Sequence, residues 1–188
     1  DLIQAGGGVT IVNKMDIDKF IKSGEIISDY WLTVFHAKTF DNVIYLGNIV
    51  QDYQKQVDCN ILLSLTQYIH NHGIDTKLLL LTKGSMSLDT SDQGFAVVSK
   101  ENENISKPLN REISIWQGGV WGFGGTMALE LDIPVVCMDL DISSNTKNDS
   151  TDIIRELLLN SDETKLAYRK SVRYVVRLKP YEIDVATE

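Results

Sequence analysis

The sequence predicts an α/β protein with a mostly parallel sheet, flanked by helices and closed by a β-hairpin. Strand-like and helix-like segments alternate along the chain, and the strand-like runs are continuously apolar rather than alternating in polarity. A continuously apolar run is typical of a parallel strand that is covered on both faces. A chain of 188 residues suits one domain better than two, so we predict a single domain over residues 1–188.

The composition excludes several classes of function. The net charge of −8, with no basic stripe, argues against binding to nucleic acid or to a membrane surface. No apolar run is long enough to cross a bilayer and no signal peptide is evident, so we expect a cytoplasmic protein. Cys59 and Cys137 fit no metal or redox spacing, which suits a reducing compartment, and we expect both to be small core residues.

The first third of the chain contains the least regular patterns. DLIQAGGG (1–8) is typical of a helix end, GVTIV (8–12) of a buried strand and DYWLTVF (29–35) of an extended segment that follows a polar stretch. Because folds of this class normally begin with a strand, a start at a helix end suggests that a piece is missing upstream.

The middle of the chain gives stronger signals. DNVIYLGNI (41–49) predicts a core strand, and KLLLLTKGS (77–85) predicts a parallel strand buried on both faces. Between them, apolar residues three and four apart predict an amphipathic helix over 53–72, which Gly73 ends.

The remaining elements follow in order. We predict a small outlying strand FAVV (95–98), a polar loop NENISKPLN (102–110), a helix over 111–131, a buried strand IPVVCMDLD (133–141), a loop SSNTKNDS (143–150) that caps a helix TDIIRELLL (151–159), and two strands around a polar turn in KLAYRKSVRYVVRL (165–178).

The stretch GGVWGFGG (118–125) holds five glycines in eight residues and admits two interpretations. A dinucleotide loop needs G-x-G-x-x-G directly after a strand. Gly122 and Gly124 supply the first two glycines, but Met127 occupies the third position, and the preceding REISIWQ is not strand-like. Asp139 and Asp141 lie 17 and 19 residues after Gly122 and imitate the acidic residue that holds a ribose.

The alternative is a helix that packs closely on a neighbour. Each glycine costs a helix about 1 kcal/mol relative to alanine, so close backbone approach must offset the loss. We favour this interpretation and expect Trp121 to meet a partner surface. The predicted apolar face comprises Ile113, Trp116, Val120, Phe123 and Met127, and the predicted glycine stripe comprises Gly118, Gly122 and Gly125.

WGFGGTMALEL (121–131) followed by VVCMDLD (135–141) resembles the last helix and strand of the structural subdomain in polyketide synthase ketoreductases. Family members tend to read Gly-Leu-Gly-Arg, a short helix ending in Glu, and a strand ending in Asp-Leu-Asp. NVIYLGNI, KLLLLTKGS and LAYRKSVRYVVRL resemble, in order, the family's strand ending in Leu-Trp, its strand ending in Thr-Arg-Gly and its closing hairpin. The resemblance covers roughly residues 5–178.

The resemblance implies a truncated Rossmann-like, short-chain-dehydrogenase-like fold that binds no cofactor and braces a second subdomain. That second subdomain carries the NADPH loop and a Ser, Tyr, Lys catalytic set. Gly125-Thr126 and Gly47-Asn48 depart from the family pattern, which suggests a pseudo-ketoreductase. The implied partners are adjacent domains of the same megasynthase: a ketoreductase catalytic subdomain, or methyltransferase or enoylreductase neighbours.

The residues themselves also argue against catalysis. Reductases of this class need a tyrosine with a lysine four positions later, and no tyrosine of the chain has one. We therefore predict that the chain is not by itself an enzyme, with no catalytic, cofactor-binding or metal-binding residues and no cofactor. The parent polyketide synthase would be a multienzyme.

The remaining candidate residues give weaker signals of a binding site. His70 and His72 point about 200° apart on a helix and cannot share a metal, and His36 is isolated. TKGS (82–85) could touch an anion, but a plain turn explains it better, because it lacks the upstream glycine of a P-loop. The pair Asp139 and Asp141 could hold Mg²⁺ or could simply be solvated.

Two alternative functions stay open at this point. One is a free-standing nucleotide- or flavin-binding module that uses Gly122, Gly124, Gly125 and Asp139. The other is an intact reductase whose missing half is supplied by another chain.

Overall fold

The computed structural model describes residues 8–36, 38–47, 59–86, 88, 117–159 and 161–177. Helices and strands alternate through most of these ranges. The helices are α1 (Lys14–Lys22), α2 (Ile27–Phe35), α3 (Cys59–Asn71), α4 (Gly118–Glu130) and α5 (Thr146–Leu158), and the strands are β1 (Asn42–Tyr45), β2 (Lys77–Lys83), β3 (Val135–Leu140), β4 (Lys165–Arg169) and β5 (Val172–Val175). None of the helices in these ranges has the length and apolarity that a membrane crossing requires.

The five strands form one sheet in the order β1-β2-β3-β4-β5. The first four are parallel, and β5 pairs with β4 as an antiparallel hairpin. The predicted fold class is therefore confirmed: a Rossmann-like, mostly parallel α/β sheet that ends in a hairpin. All six residues of β3 and the five central residues of β2 are buried, which explains their unbroken apolar runs.

Alternate residues of β2 and β3 fill two apolar layers, one on each side of the sheet. One layer combines Leu78, Leu80, Val135 and Cys137 with Leu62 of α3 and with Val120 and Trp121 of α4. The other combines Leu79, Leu81, Val136, Met138 and Leu140 with Leu166 and Tyr168, and Ile153 and Leu157 of α5 pack against it. Helices therefore lie on both faces.

A third apolar cluster joins the first three helices. Its buried members are Ile17, Trp31, Ile61, Leu65, Tyr68 and Ile69. The indole Nε1 of Trp31 donates a hydrogen bond of 2.9 Å to Ser64 Oγ, which fixes α2 on α3. Gly73 ends α3 with a φ of +57°, a conformation that favours glycine, as the sequence predicted.

The sequence-based predictions were wrong near the amino terminus. Residues 8–12 pair with none of the described strands, and Val9 and Ile11 are 43% and 82% exposed, so this segment is not the predicted buried strand. Residues 29–35 belong to α2 rather than to an extended segment, because the three-four spacing of Ile27, Trp31, Val34 and Phe35 packs on α3. The polar stretch before α2 contains α1, which Asn13 caps by accepting from Asp16 N at 3.2 Å.

Other boundaries also differ. Helix α5 begins at Thr146 rather than at residue 151, because Asn145 Oδ1 accepts from Asn148 N at 2.9 Å and caps the helix five residues earlier. Strand β1 covers Asn42–Tyr45, and residues 48–49 of the predicted strand lie outside the described residues. All four residues of β1 are half-buried, and Val43 and Tyr45 pack against the apolar core. The predicted helix end at 1–7, the beginning of the helix over 53–58, and the strand and loop at 95–98 and 102–110 lie outside the described residues.

Candidate functional site

In doubly wound sheets, ligands bind in the crevice outside the carboxyl ends of the parallel strands. In this chain that region is formed by the ends of β2 and β3, where Thr82, Lys83 and Asp139 lie, and by the loops that follow them. The amino end of α4 approaches the same region. It is therefore the place to look for a nucleotide site.

Asp139 is the centre of this region and is completely buried. Its Oδ1 lies 2.6 Å from Thr82 Oγ1, 2.9 Å from Ser85 N and 2.7 Å from Ser85 Oγ, all of them donor groups. Its Oδ2 accepts from Met86 N at 3.2 Å and from Arg169 Nη2 at 2.5 Å. Asp139 was a candidate for the acidic residue that binds a ribose. In the structure, groups of the same chain bind both of its carboxylate oxygens.

Trp121 extends the network to α4. Its side chain is only 7% exposed, and its Nε1 donates to Thr82 Oγ1 at 2.8 Å. The expectation that Trp121 meets a partner surface was therefore wrong. The side of α4 that carries Val120, Trp121 and Gly124 faces the sheet, and the buried Thr82 supplies the partner that an indole N–H requires. Trp116 and Ile113 of the predicted face lie outside the described residues.

Gly124 allows α4 to pack directly on the sheet. A Cβ atom at this position would lie 2.2 Å from Cys137 Sγ and 2.8 Å from Leu80 Cδ1, distances that no side chain can occupy. The predicted glycine stripe was wrong in its members. Gly118 and Gly122 have open space where a Cβ would be, and Gly125 faces only the flexible ammonium end of Lys165. Close packing thus depends on one glycine, which the predicted stripe left out.

The segment TKGS (82–85) comprises the end of β2 and the bend that follows it, and its polar groups have internal partners. The backbone N–H of Lys83 donates to Gln117 Oε1 at 2.7 Å, so a side chain of this protein binds the amide just before the turn. The Lys83 ammonium donates to Asp149 Oδ2 at 2.7 Å and to Ser144 O at 3.1 Å. Gly84 adopts a φ of +69° as the chain turns. These contacts favour the plain turn over an anion site.

Asp141 was expected to be either solvated or a Mg²⁺ ligand, and it is only 4% exposed. Its Oδ1 accepts from Ser143 N at 2.9 Å, and its Oδ2 accepts from Lys170 N at 3.1 Å. The carboxylate therefore shapes the loop after β3 and receives the tip of the hairpin. Across the ranges that the structure describes, no three His, Cys, Asp or Glu side chains are grouped so that they could hold a metal ion.

Comparison with solved structures identifies the fold. An A-type ketoreductase from a modular polyketide synthase superposes with a TM-score of 0.57 at 20% identity, over 84% of this chain and 31% of that chain. The adenylation, ketoreductase and pseudo Asub multidomain structure of a keto acid-selecting NRPS module gives a TM-score of 0.60 at 17% identity, over 82% of this chain and 12% of that chain. This chain has a ketoreductase-like fold.

The matched regions are only part of each known protein. The chain spans less than a third of the ketoreductase and about an eighth of the NRPS module that it matches, at 31% and 12% of their lengths. No protein-family model matches the sequence, and no match among curated proteins was found. The ketoreductase-like fold is therefore established by structure alone.

The hairpin of this ketoreductase-like fold carries polar residues that the sequence analysis missed. Arg173 forms a bidentate pair with the buried Glu156, with Nε–Oε2 and Nη2–Oε1 distances of 2.7 and 2.9 Å. Tyr168 Oη donates to the same carboxylate at 3.2 Å, and burial together with Glu156 raises the pKa of Tyr168 to about 12. The sequence contains one signal of this network, because arginine recurs every four residues along the predicted hairpin, at Arg169, Arg173 and Arg177.

The remaining candidates are dispersed over the fold. His72 directly follows α3, with Nδ1 2.9 Å from Tyr68 O and its ring stacked on that of Tyr68. His36, His70 and His72 are all exposed. Cys137 is buried as predicted, and its burial raises the pKa of its thiol to about 11.

Cys59 contradicts its prediction as a core residue, because it is exposed. It lies at the first described position of α3, outside the buried stripe that begins at Ile61.

Proposed function

We propose that this chain is a non-catalytic structural subdomain that braces a neighbouring catalytic domain within a modular polyketide synthase. The observation that carries the proposal is the closed network around Asp139. Ligands of open α/β sheets bind outside the carboxyl ends of the parallel strands, and here Arg169, Thr82 and Ser85 already use both oxygens of the carboxylate.

The glycine segment supports the same proposal. A dinucleotide loop uses its glycines so that a pyrophosphate can approach the backbone at a helix amino terminus. Gly124 instead accommodates Cys137 and Leu80 of the sheet beneath α4, and Met127 stands where the third glycine is needed. A nucleotide would have to displace part of the apolar core to approach the backbone at Gly124.

The absence of a Tyr-x-x-x-Lys sequence supports a non-catalytic role independently. Carbonyl reduction by this class requires a tyrosine acid next to a lysine, and no tyrosine in the 188 residues has a lysine four positions later. On this proposal, reduction in the parent protein belongs to another domain, and this chain contributes no group to it.

The proposed partners are adjacent domains of a cytoplasmic megasynthase: a ketoreductase catalytic subdomain, or methyltransferase or enoylreductase neighbours. Both similar structures come from modular or multidomain synthases. A brace acts by burying surface against its neighbour, and the proposal therefore requires a stable fold rather than a reactive site.

Titration calorimetry with NADPH tests the proposal. We expect no binding heat at protein concentrations that would reveal a millimolar dissociation constant. Micromolar binding would overturn the proposal and favour the nucleotide-module alternative.

A Gly122→Val variant distinguishes the two hypotheses further. Gly122 has open space around its Cβ position, so the variant should retain the fold. If the wild-type protein binds NADPH, loss of that binding in a folded Gly122→Val protein would indicate a phosphate loop.

A further inference from the structure

Four carboxylates hold the β4–β5 hairpin against the rest of the domain. They belong to β3, the loop after it and α5, and each is at most 4% exposed. They bind four positions in or next to the hairpin turn: Asp139 binds Arg169 Nη2, Asp141 binds Lys170 N, Asp152 binds Ser171 Oγ, and Glu156 binds Arg173 Nε and Nη2.

The backbone connection of the hairpin is short by comparison. Strand β4 pairs with β3 over three residues, Cys137–Asp139, whereas β2 pairs with β3 over six residues. The hairpin is therefore attached by this short backbone pairing, by burial of Leu166 and Tyr168 in the apolar layer, and by the contacts with the four carboxylates.

The turn of the hairpin is also strained. Lys170 and Ser171 have φ values of 51° and 61°, in the left-handed region that favours glycine or asparagine. Contacts outside the turn offset this strain, because Lys170 N donates to Asp141 at 3.1 Å and Arg155 Nη1 donates to Ser171 O at 3.2 Å.

We propose that the β4–β5 hairpin is a separately opening unit, which leaves the sheet while β2 and β3 stay paired, and that the four carboxylates set how often it opens. Opening exposes the edge of β3, and an exposed strand edge can accept a strand from another chain or domain. The inference does not depend on the proposed function, because it concerns only how this sheet opens.

Residue-resolved hydrogen exchange can test this within one strand. The amide of Cys137 donates to Thr164 O at 2.8 Å, on the β4 side, whereas the carbonyls of Pro134 and Leu140 accept from Leu78 N and Gly84 N, on the β2 side. Because the direction alternates along a strand, the Cys137 and Asp139 amides report on hairpin opening. The Val136 and Met138 amides report on the β2–β3 core.

We expect the Cys137 and Asp139 amides to exchange at least about tenfold faster than those of Val136 and Met138, after correction for intrinsic rates. Equal protection of all four amides would mean that hairpin and core open together, and would overturn the proposal.

Two variants should move the hairpin amides in opposite directions. Glu156→Gln removes the charge that Arg173 requires, and should raise exchange at Cys137 and Asp139 by about tenfold or more. Lys170→Asn retains the backbone donor and suits the turn better, so it should slow exchange at the same two amides.

Glu163→Gln is the matched control. Its partly exposed pair with Arg177 joins the two ends of the hairpin to each other, so exchange at all four amides should stay unchanged. If Glu156→Gln does not fold, the Lys170→Asn variant still tests whether the hairpin opens separately. A uniform change at all four amides, or none, in Lys170→Asn contradicts the proposal.

Discussion

Asp139 and Arg169 form a buried ion pair at the carboxyl end of the parallel sheet, with Oδ2 and Nη2 2.5 Å apart and side-chain exposures of 0% and 11%. Arg169 also donates to Met86 O at 2.7 Å and to Asp139 O at 3.1 Å. The pair therefore ties β3 and β4 to the chain that leaves β2. It fills, with groups of the protein itself, part of the carboxyl edge of the parallel sheet, the edge at which open α/β sheets bind ligands.

Asp139→Asn should lower the free energy of unfolding by about 3–5 kcal/mol, because it leaves Arg169 buried without a counter-charge. Urea denaturation measures the effect. Glu163→Gln is the control, since its partly exposed pair with Arg177 should contribute far less. A neutral Asp139→Asn variant would show that the pair does not hold this end of the sheet.

Gly124→Ala and Gly122→Ala should change stability in opposite directions. The new methyl at position 124 would overlap Cys137 Sγ and Leu80, so we expect a loss of about 1–3 kcal/mol. Gly122 lies in the same helix with open space at its Cβ position, so alanine there should stabilise α4 by about 1 kcal/mol. Thermal melts of both variants measure this, and equal shifts would contradict the packing described for Gly124.

The parts of the fold that the sequence predicted are those set by local patterns. The apolar runs of β2 and β3 and the three-four spacing of α3 each reflect burial of contiguous residues. Helix α2 was misjudged because Trp31, Val34 and Phe35 suit strands and helices alike, and only their packing on α3 decides between the two.

The polar network could not be predicted in the same way. Asp139 was identified as a candidate, but its partner Arg169 lies 30 residues later, and only the parallel pairing of β3 with β4 brings them together. Similarly, Gly124 differs from the other glycines of α4 only through its position above Cys137. Such relationships depend on which face of a helix meets the sheet, which the clustered glycines do not specify.

The two cysteines should differ sharply in reactivity. Cys59 is exposed, whereas Cys137 is buried beneath α4, and burial raises the pKa of its thiol to about 11. Since the thiolate is the nucleophile, a thiol reagent at pH 8 should label one cysteine in the native protein and two after unfolding. Rapid labelling of Cys137 in the native state would mean that α4 does not stay packed on the sheet.

Tyr168 should make the protein less stable in alkali. Burial and the neighbouring Glu156 raise its pKa from 10.0 to about 12, so between these two values the folded protein keeps a proton that the unfolded chain has lost. The free energy of unfolding must therefore fall as the pH rises through this window, by at most about 1.4 kcal/mol per pH unit. Tyr168→Phe should remove this part of the slope.

Urea denaturation of both proteins from pH 9 to pH 11 measures the difference. The pKa of Tyr30 is also raised by burial, but Tyr30 is present in both proteins and its contribution cancels. If wild type and Tyr168→Phe lose stability in parallel above pH 10, the Tyr168 hydroxyl does not keep its proton in the way that its burial beside Glu156 requires.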